Sequence, residues 1–189
     1  MALLLNFMLY QAIWFLCVFK GNSGASIGLT LIAVHVLLSS CRTADLKIMA
    51  LLLSCGLVID GAIHWAGFIS YPLPAYPIPF WLAVIWLALA LMVHHSLRWL
   101  KGRPLLSALC GLVGGPLAYG AGVAAGAATF EAPPVHVLGL LSVVWAILWP
   151  AVMYVGALIL PKHIHGLDGE DSASADLSER VADVSKFAQ

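Results

Sequence analysis

The sequence predicts an all-α protein, a bundle of six transmembrane helices with both chain ends in the cytoplasm. Hydrophobic residues make up 62% of the chain and charged residues only 10%, which is more apolar surface than a soluble domain can bury. Six apolar runs have about the length that a bilayer requires. Basic residues concentrate in alternate loops. We therefore expect a bacterial inner-membrane protein with a transmembrane domain at 1–162 and an acidic, mobile tail at 163–189.

The first half of the chain holds three candidate spans, at residues 3–19, 26–41 and 46–69. Lys20 and the Gly-Asn-Ser-Gly stretch 21–24 separate the first two, and this composition is typical of a turn. The polar segment 41–47 separates the second span from the third.

The second half holds three more, at 80–100, 105–128 and 135–160. Their boundaries are marked by a proline-rich segment, a basic turn and a Pro-Pro pair, at 71–79, 101–104 and 131–134. Proline and glycine are the strongest local breaks in helical patterns, so we expect helices to end at each of these segments.

Charge sets the expected orientation, because short cytoplasmic loops are enriched in lysine and arginine. The loops on one side, with the residue after the last span, hold Arg42, Lys47, Arg98, Lys101, Arg103 and Lys162. The opposite loops hold only Lys20. Six crossings with both ends in the cytoplasm satisfy this distribution. We expect the tail beyond them to be solvated, with docking to a partner as the alternative.

Several function classes lack support in the sequence. Cys17, Cys41, Cys55 and Cys110 are scattered one per apolar run, and no paired-ligand motif accompanies them. We therefore expect neither a metal nor another cofactor. No basic stripe, phosphate loop or nucleophile elbow is present, so a nucleic-acid partner is not expected and no reaction is indicated. His35, His94 and His95 are interpreted as packed or interfacial polar residues.

Asp60 is the carboxylate that stands inside a long apolar run, with His64 one helical turn later. An ionisable group within a membrane is expensive and often functional. Two interpretations stay open: a polar pocket, or a structural residue hydrogen-bonded within the bundle. The topology places Asp60, His64, Glu131 and His136 in the outer half of the membrane, while Asn6 and Gln11 of the first span are further pocket candidates.

The fifth span is rich in small residues and is interrupted by proline. The residues are Gly111, Gly114, Gly115, Pro116, Gly120, Gly122 and Gly126. Small residues four apart allow membrane helices to pack closely, and proline removes a helical hydrogen bond. We expect a tightly packed, kinked helix. A broken helix that lines a substrate site, with Tyr119 as its polar group, is the alternative.

A family of short proteobacterial inner-membrane proteins, known as a domain of unknown function, is what the sequence resembles. The residues that carry the resemblance are the stretch Gly114-Gly115-Pro116-Leu117-Ala118-Tyr119-Gly120-Ala121-Gly122, Pro79-Phe80-Trp81 with Trp86, and Asn6, Trp14 and Asp60. The resemblance covers about residues 1–160. It implies a multi-pass inner-membrane protein without an established activity. It also implies neighbouring genes for fatty-acyl-modifying enzymes, and hence a connection with membrane lipids or envelope stress.

The leading hypothesis is an accessory or binding protein in membrane-lipid metabolism, with membrane lipids and lipid-modifying enzymes as partners. A small transporter or proton-coupled permease is the second hypothesis, although the two halves of the chain share no matching broken helices. A lipid-modifying membrane enzyme is the third. The sequence leaves open whether the protein is an enzyme and how many copies associate.

Overall fold

A computed structural model describes residues 2–72 and 76–160, and it is all-helical apart from two very short strands. The elements are α1 (Ala2–Leu38), α2 (Arg42–Trp65), β1 (Ile69–Ser70), α3 (Phe80–His94), a 3-10 turn (Arg98–Leu100), α4 (Pro104–Ala124), β2 (Thr129–Phe130) and α5 (Pro134–Ile159). The predicted all-α class is confirmed. Lys162 and the expected acidic tail at 163–189 lie outside the described residues.

Helix α1 reverses direction at Gly21 and forms a hairpin. Gly21 has φ 56° and ψ −133°, a conformation that suits only glycine. Beyond it, a Cβ added at Gly28 would lie 3.8 Å from the Cβ of Ile13, whereas a straight helix would separate these residues by about 22 Å. We call residues 2–20 the first arm and 22–38 the second arm. The reversal lies within the turn predicted from residues 20–24.

The helices form two groups that meet through α5. Both α1 and α2 pack against α3, α4 packs against α5, and α5 also contacts α2 and α3. Strands β1 and β2 pair antiparallel, with Ile69 opposite Phe130, and so join the segments after α2 and before α5. We call this the strand end of the bundle. The opposite end, which carries Arg42, Arg98, Lys101 and Arg103, is the basic end.

Four helices, α1, α2, α4 and α5, are long and apolar enough to cross a membrane. Helix α3 is also apolar but has only 15 residues. Large apolar side chains such as Leu4, Val58, Leu117 and Ile147 are more than half exposed on the outer faces of the bundle. Lipid can cover such surfaces, so the structure fits a helical membrane bundle.

Helix α4 continues across Pro116 without a break. The segment from Pro104 to Ala124 is one α-helix, and α5 likewise stays helical across Pro150. The broken helix considered from the sequence is therefore not what the described residues adopt. The reason is that proline removes one hydrogen bond, and a membrane helix tolerates this loss when its neighbours support the backbone.

Candidate functional site

The carboxylate of Asp60 is fully buried between three helices and holds them together by hydrogen bonds. Trp86 of α3 donates its indole N–H to Oδ2 over 2.7 Å, and Tyr119 of α4 donates its hydroxyl to Oδ1. Asp60 itself is 0% exposed. Bonds to a charged acceptor are stronger than neutral ones, and they offset the cost of removing this group from water.

Two indoles stack beside Asp60 and are held between two glycines. The rings of Trp86 and Trp145 lie 5.2 Å apart and nearly parallel. A Cβ added at Gly56 would come within 2.6 Å of the Trp86 ring, and one at Gly115 within 2.2 Å of the Trp145 ring. Each indole therefore needs a glycine behind it. This sandwich explains why α2 and α4 carry glycine at these two positions.

Gly111 serves the packing of α4 on α5 in the same way. A Cβ there would meet the carbonyl oxygen of Trp145 at 2.2 Å. Gly114, Gly120 and Gly122 have nothing within 4 Å of an added Cβ, and Gly126 has φ +79° just beyond the end of α4. The glycines of the predicted fifth span thus divide into packing positions, open positions and a turn position.

A cavity of about 510 Å³ lies between the first arm of α1, helix α3 and helix α4. Its walls are almost entirely apolar and aromatic, and its lining includes Tyr10, Gln11, Trp14, Tyr71, Trp86, Gly114, Ala118, Tyr119, Gly122, Trp145 and Trp149. At its rim, Phe7, Phe15 and Gly114 are exposed. Trp86 and Tyr119 are in its wall and also bind Asp60, so the carboxylate fixes two of the lining side chains.

Tyr71 adds a polar group that lacks a partner. Its hydroxyl is buried and makes no hydrogen bond to any residue that the structure describes. Burial, together with the nearby charge of Asp60, raises the pKa of the Tyr71 phenol, so this group stays protonated and can donate. An unsatisfied buried hydroxyl costs about 1–3 kcal/mol, which a hydrogen-bond acceptor beside it would recover.

The other predicted pocket residues are only partly brought together. His64 does not bond to Asp60: its Nδ1 lies 2.9 Å from the carbonyl oxygen of Ile69, and its ring packs 5.3 Å from that of Tyr71. Glu131 accepts a hydrogen bond of 2.5 Å from Ser70 at the exposed strand pair. His136 is exposed at the start of α5. These residues share the strand end with Asp60 but do not form one cluster.

Gln11 and Asn6 have different positions although both belong to the first arm. Gln11 lines the cavity. Asn6 lies at the basic end, where its carbonyl oxygen accepts hydrogen bonds from the amide and the hydroxyl of Ser96, the latter at 2.7 Å. Asn6 therefore fixes the first arm to the chain beyond α3, away from Asp60.

Two features of the site were not predicted from the sequence. One is that Trp86 stacks on Trp145 and also hydrogen-bonds Asp60. A second carboxylate, Asp45, is also fully buried, although it lies in a segment that reads as a polar loop. In the structure Asp45 lies in the first turn of α2, where an acidic residue is common, whereas the predicted third span begins only at residue 46.

The family assignment follows from a match over most of the chain. Residues 3–151 match the family model DUF2878, described as a protein of unknown function. The chain belongs to the DUF2878 family. This agrees with the resemblance to a domain of unknown function. Searches of the curated proteins and of the solved structures found no match.

Proposed function

We propose that this member of the DUF2878 family is a membrane protein that binds a lipid-like amphiphile in the cavity beside Asp60. The cavity carries this proposal. Its volume lies within the range of 300–1,000 Å³ or so that is common for small-molecule sites, and such sites are typically apolar with few polar groups. The polar groups near it, Gln11, Tyr71 and Tyr119, suit a ligand with one polar end.

The rim of the cavity supports entry of such a ligand from the bilayer. Its exposed rim residues, Phe7 and Phe15 on the first arm and Gly114 on α4, are apolar or lack a side chain. An acyl or isoprenoid chain could move between these two helices without leaving an apolar medium. The role that fits is an accessory one in membrane-lipid metabolism or envelope stress, in which the protein holds a lipid for a lipid-modifying enzyme.

The proposal includes a location and an orientation. We place the protein in a bacterial inner membrane with six crossings, formed by the two arms of α1 and by α2, α3, α4 and α5, with both ends in the cytoplasm. The reversal at Gly21 supports two crossings by α1. The arginines and lysines of the basic end support a cytoplasmic side there.

A matched pair of glycine variants on α4 tests the binding site. Gly114 and Gly120 both leave open space for a side chain, but only Gly114 lines the cavity. Gly114→Leu should fill the cavity, and Gly120→Leu should not. We expect native mass spectrometry of the protein in mild detergent to show retained lipid for the wild type and for Gly120→Leu, and at least tenfold less for Gly114→Leu. Equal retention by both variants would contradict the proposal.

A small proton-coupled transporter is the second candidate, and the buried Asp60 carboxylate with its Tyr119 partner is the observation that favours it. Buried carboxylates inside membranes recur in proton relays. Flux measurements in proteoliposomes distinguish the two, because a binding protein gives no saturable transport. A lipid-modifying enzyme, the third candidate, would instead show turnover of added lipid extract.

A further inference from the structure

A cluster of metal-ligating side chains lies at the basic end, and none of its members lines the cavity. His35 comes from the second arm of α1, Asp45 from the first turn of α2 and His95 from the residue after α3. One ligand atom from each lies within 4.8 Å of the others. Cys41, just before α2, borders this group without belonging to it: its Sγ lies 3.6 Å from both oxygens of Asp45 and 3.9 Å from Nε2 of His95.

We propose that His35, Cys41, Asp45 and His95 form a binding site for a zinc ion that joins α1, α2 and α3. The four side chains offer two imidazole nitrogens, one thiolate and one carboxylate oxygen. This is a ligand set that Zn²⁺ favours, whereas Mg²⁺ and Ca²⁺ favour oxygen alone.

The spacing of the ligand atoms around Asp45 fits a tetrahedral ion. With zinc bonds of 2.0–2.1 Å to nitrogen or oxygen and 2.3 Å to sulfur, tetrahedral ligands lie about 3.3 Å apart for nitrogen and oxygen and about 3.5 Å apart when one is sulfur. Asp45 Oδ2 and His95 Nε2 are 3.2 Å apart, and the sulfur distances are 3.6 and 3.9 Å. The His35 ligand atom lies within 4.8 Å of those of Asp45 and His95. Cys41 is not part of that group, so its side chain has to move toward His35 to complete the tetrahedron.

The unused hydrogen-bonding capacity of His35 is the second, independent observation. Its Nε2 is buried and makes no hydrogen bond to any residue within the described ranges. The ring of His35 packs 4.7 Å from that of His95, so the unpartnered nitrogen is on a ring that contacts the cluster. A bound ion would give it a partner.

Charge and surroundings also fit a cation. Asp45 and a deprotonated Cys41 supply two negative charges, which balance Zn²⁺ in a site where Asp45 is fully buried. Binding replaces the proton shared by Asp45 and His95 and the thiol proton of Cys41, and both protons are released to solvent. Ser39 donates a 2.5 Å hydrogen bond to Asp45 and so orients the carboxylate, as partners of ligand residues commonly do.

The neighbouring histidine provides a matched control. His94 precedes His95 in the chain, and its Nε2 is also buried without a partner among the described residues. Its Nδ1, however, accepts a hydrogen bond of 2.8 Å from Lys101, and the cluster of possible ligands does not include it. His94→Gln should therefore leave metal binding intact. His163 and His165 lie outside the described residues, and a double variant His163→Gln with His165→Gln checks that they do not bind the metal.

The test is a metal titration of the full-length protein, stripped with a chelator in mild detergent. We expect one Zn²⁺ per chain, with the affinity reduced at least tenfold in His35→Gln and in Asp45→Asn and unchanged in the His94 and His163/His165 variants. Titration with Co²⁺ should give the intense visible bands of a tetrahedral site and a near-ultraviolet sulfur band, and Cys41→Ser should remove the sulfur band.

Two results would overturn the zinc site. One is the absence of stoichiometric Zn²⁺ binding by wild-type protein that is shown to be folded by its circular dichroism. The other is equal affinity in the wild type and in Asp45→Asn. In either case Asp45 and His95 form an ion pair that only fixes α2 to the end of α3.

Discussion

At the scale of single residues, the clearest role of Asp60 is to join three helices by hydrogen bonds. It accepts one hydrogen bond from α3 and one from α4, and both donors belong to the cavity wall. The shape of the cavity therefore depends on a carboxylate that does not itself line it. This dependence makes the two interpretations of Asp60, pocket and structure, compatible with one another.

Substitutions at Asp60 separate its charge from its hydrogen bonds. In Asp60→Asn the amide can accept from Trp86 and donate to Tyr119, so the cavity wall is kept, and abundance, folding and lipid retention should all stay close to the wild type. Asp60→Ala leaves two buried donors unpaired, and each costs about 1–3 kcal/mol. Thermal unfolding in detergent should show a clearly lower midpoint for Asp60→Ala than for Asp60→Asn. Equal midpoints would show that the hydrogen bonds contribute nothing.

The indole sandwich predicts a second residue-level difference. In Gly115→Ala the added methyl group meets the Trp145 ring, and such overpacking costs about 1–3 kcal/mol. Gly120→Ala on the same helix meets nothing within 4 Å and should be neutral or slightly stabilising. Thermal midpoints of the two variants, measured side by side in detergent, test this. If Gly115→Ala is as stable as Gly120→Ala, the packing of the Trp145 ring does not require glycine at position 115.

Residue-level prediction from the sequence was good for the unusual groups and poor for their partners. Asp60 stands out because a carboxylate in an apolar run costs free energy. Trp86 does not stand out, since an indole in a membrane helix is ordinary until its N–H is seen to face a carboxylate. Asp45 was missed because it lies beside Arg42 and Lys47, and a charged segment looks solvated whether or not one member turns inward.

At the scale of elements, the reversal of α1 determines which segments of the first half of the chain meet α3. It brings both arms against α3, and it places Asn6 and His35 at the same end, beside Ser96 and His95 respectively. The sequence predicted this reversal, because a Gly-Asn-Ser-Gly stretch between two apolar runs favours a turn. The length of α3 was less predictable: its helix ends at His94 rather than at residue 100.

A disulfide cross-link tests the hairpin directly. The Cβ positions of Ile13 and Gly28 are 3.8 Å apart, which is within the range for a disulfide. In a variant whose four native cysteines are replaced by alanine, Ile13→Cys with Gly28→Cys should cross-link within one chain on mild oxidation. The control pair, Ile13→Cys with Leu37→Cys, should not. Failure of the first pair to cross-link in folded protein would mean that α1 does not reverse.

At the scale of the whole molecule, the proposed topology makes opposite predictions for the two ends of the bundle. Glu131 and Arg103 are both exposed, at the strand end and the basic end. In cells that express cysteine-free protein, a membrane-impermeant maleimide should label Glu131→Cys directly and Arg103→Cys only after permeabilisation. The reverse pattern would invert the orientation, and labelling of both from outside would exclude the six-crossing arrangement.

The overall architecture was largely predictable, whereas the site was not. Helix positions follow from the length of apolar runs and from the prolines and glycines between them, and these are local properties. The cavity arises from how α1 and α4 are placed by α3 and α5, and sequence spacing does not contain that information. Depth along the helices groups Asp60 with His64 and Glu131 at one end of the bundle, but depth does not specify which helices are neighbours.

The central claim, that the cavity between the first arm of α1 and helix α4 holds a lipid, is tested most directly by photolabelling in a bilayer. A phospholipid with a diazirine on its acyl chain should label cavity-lining positions such as Gln11, Trp14 and Ala118. That labelling should saturate and be displaced by unlabelled lipid, and it should be lost in Gly114→Leu but kept in Gly120→Leu. Labelling confined to outer positions such as Val58 and Ile147, or unchanged in Gly114→Leu, would contradict the claim.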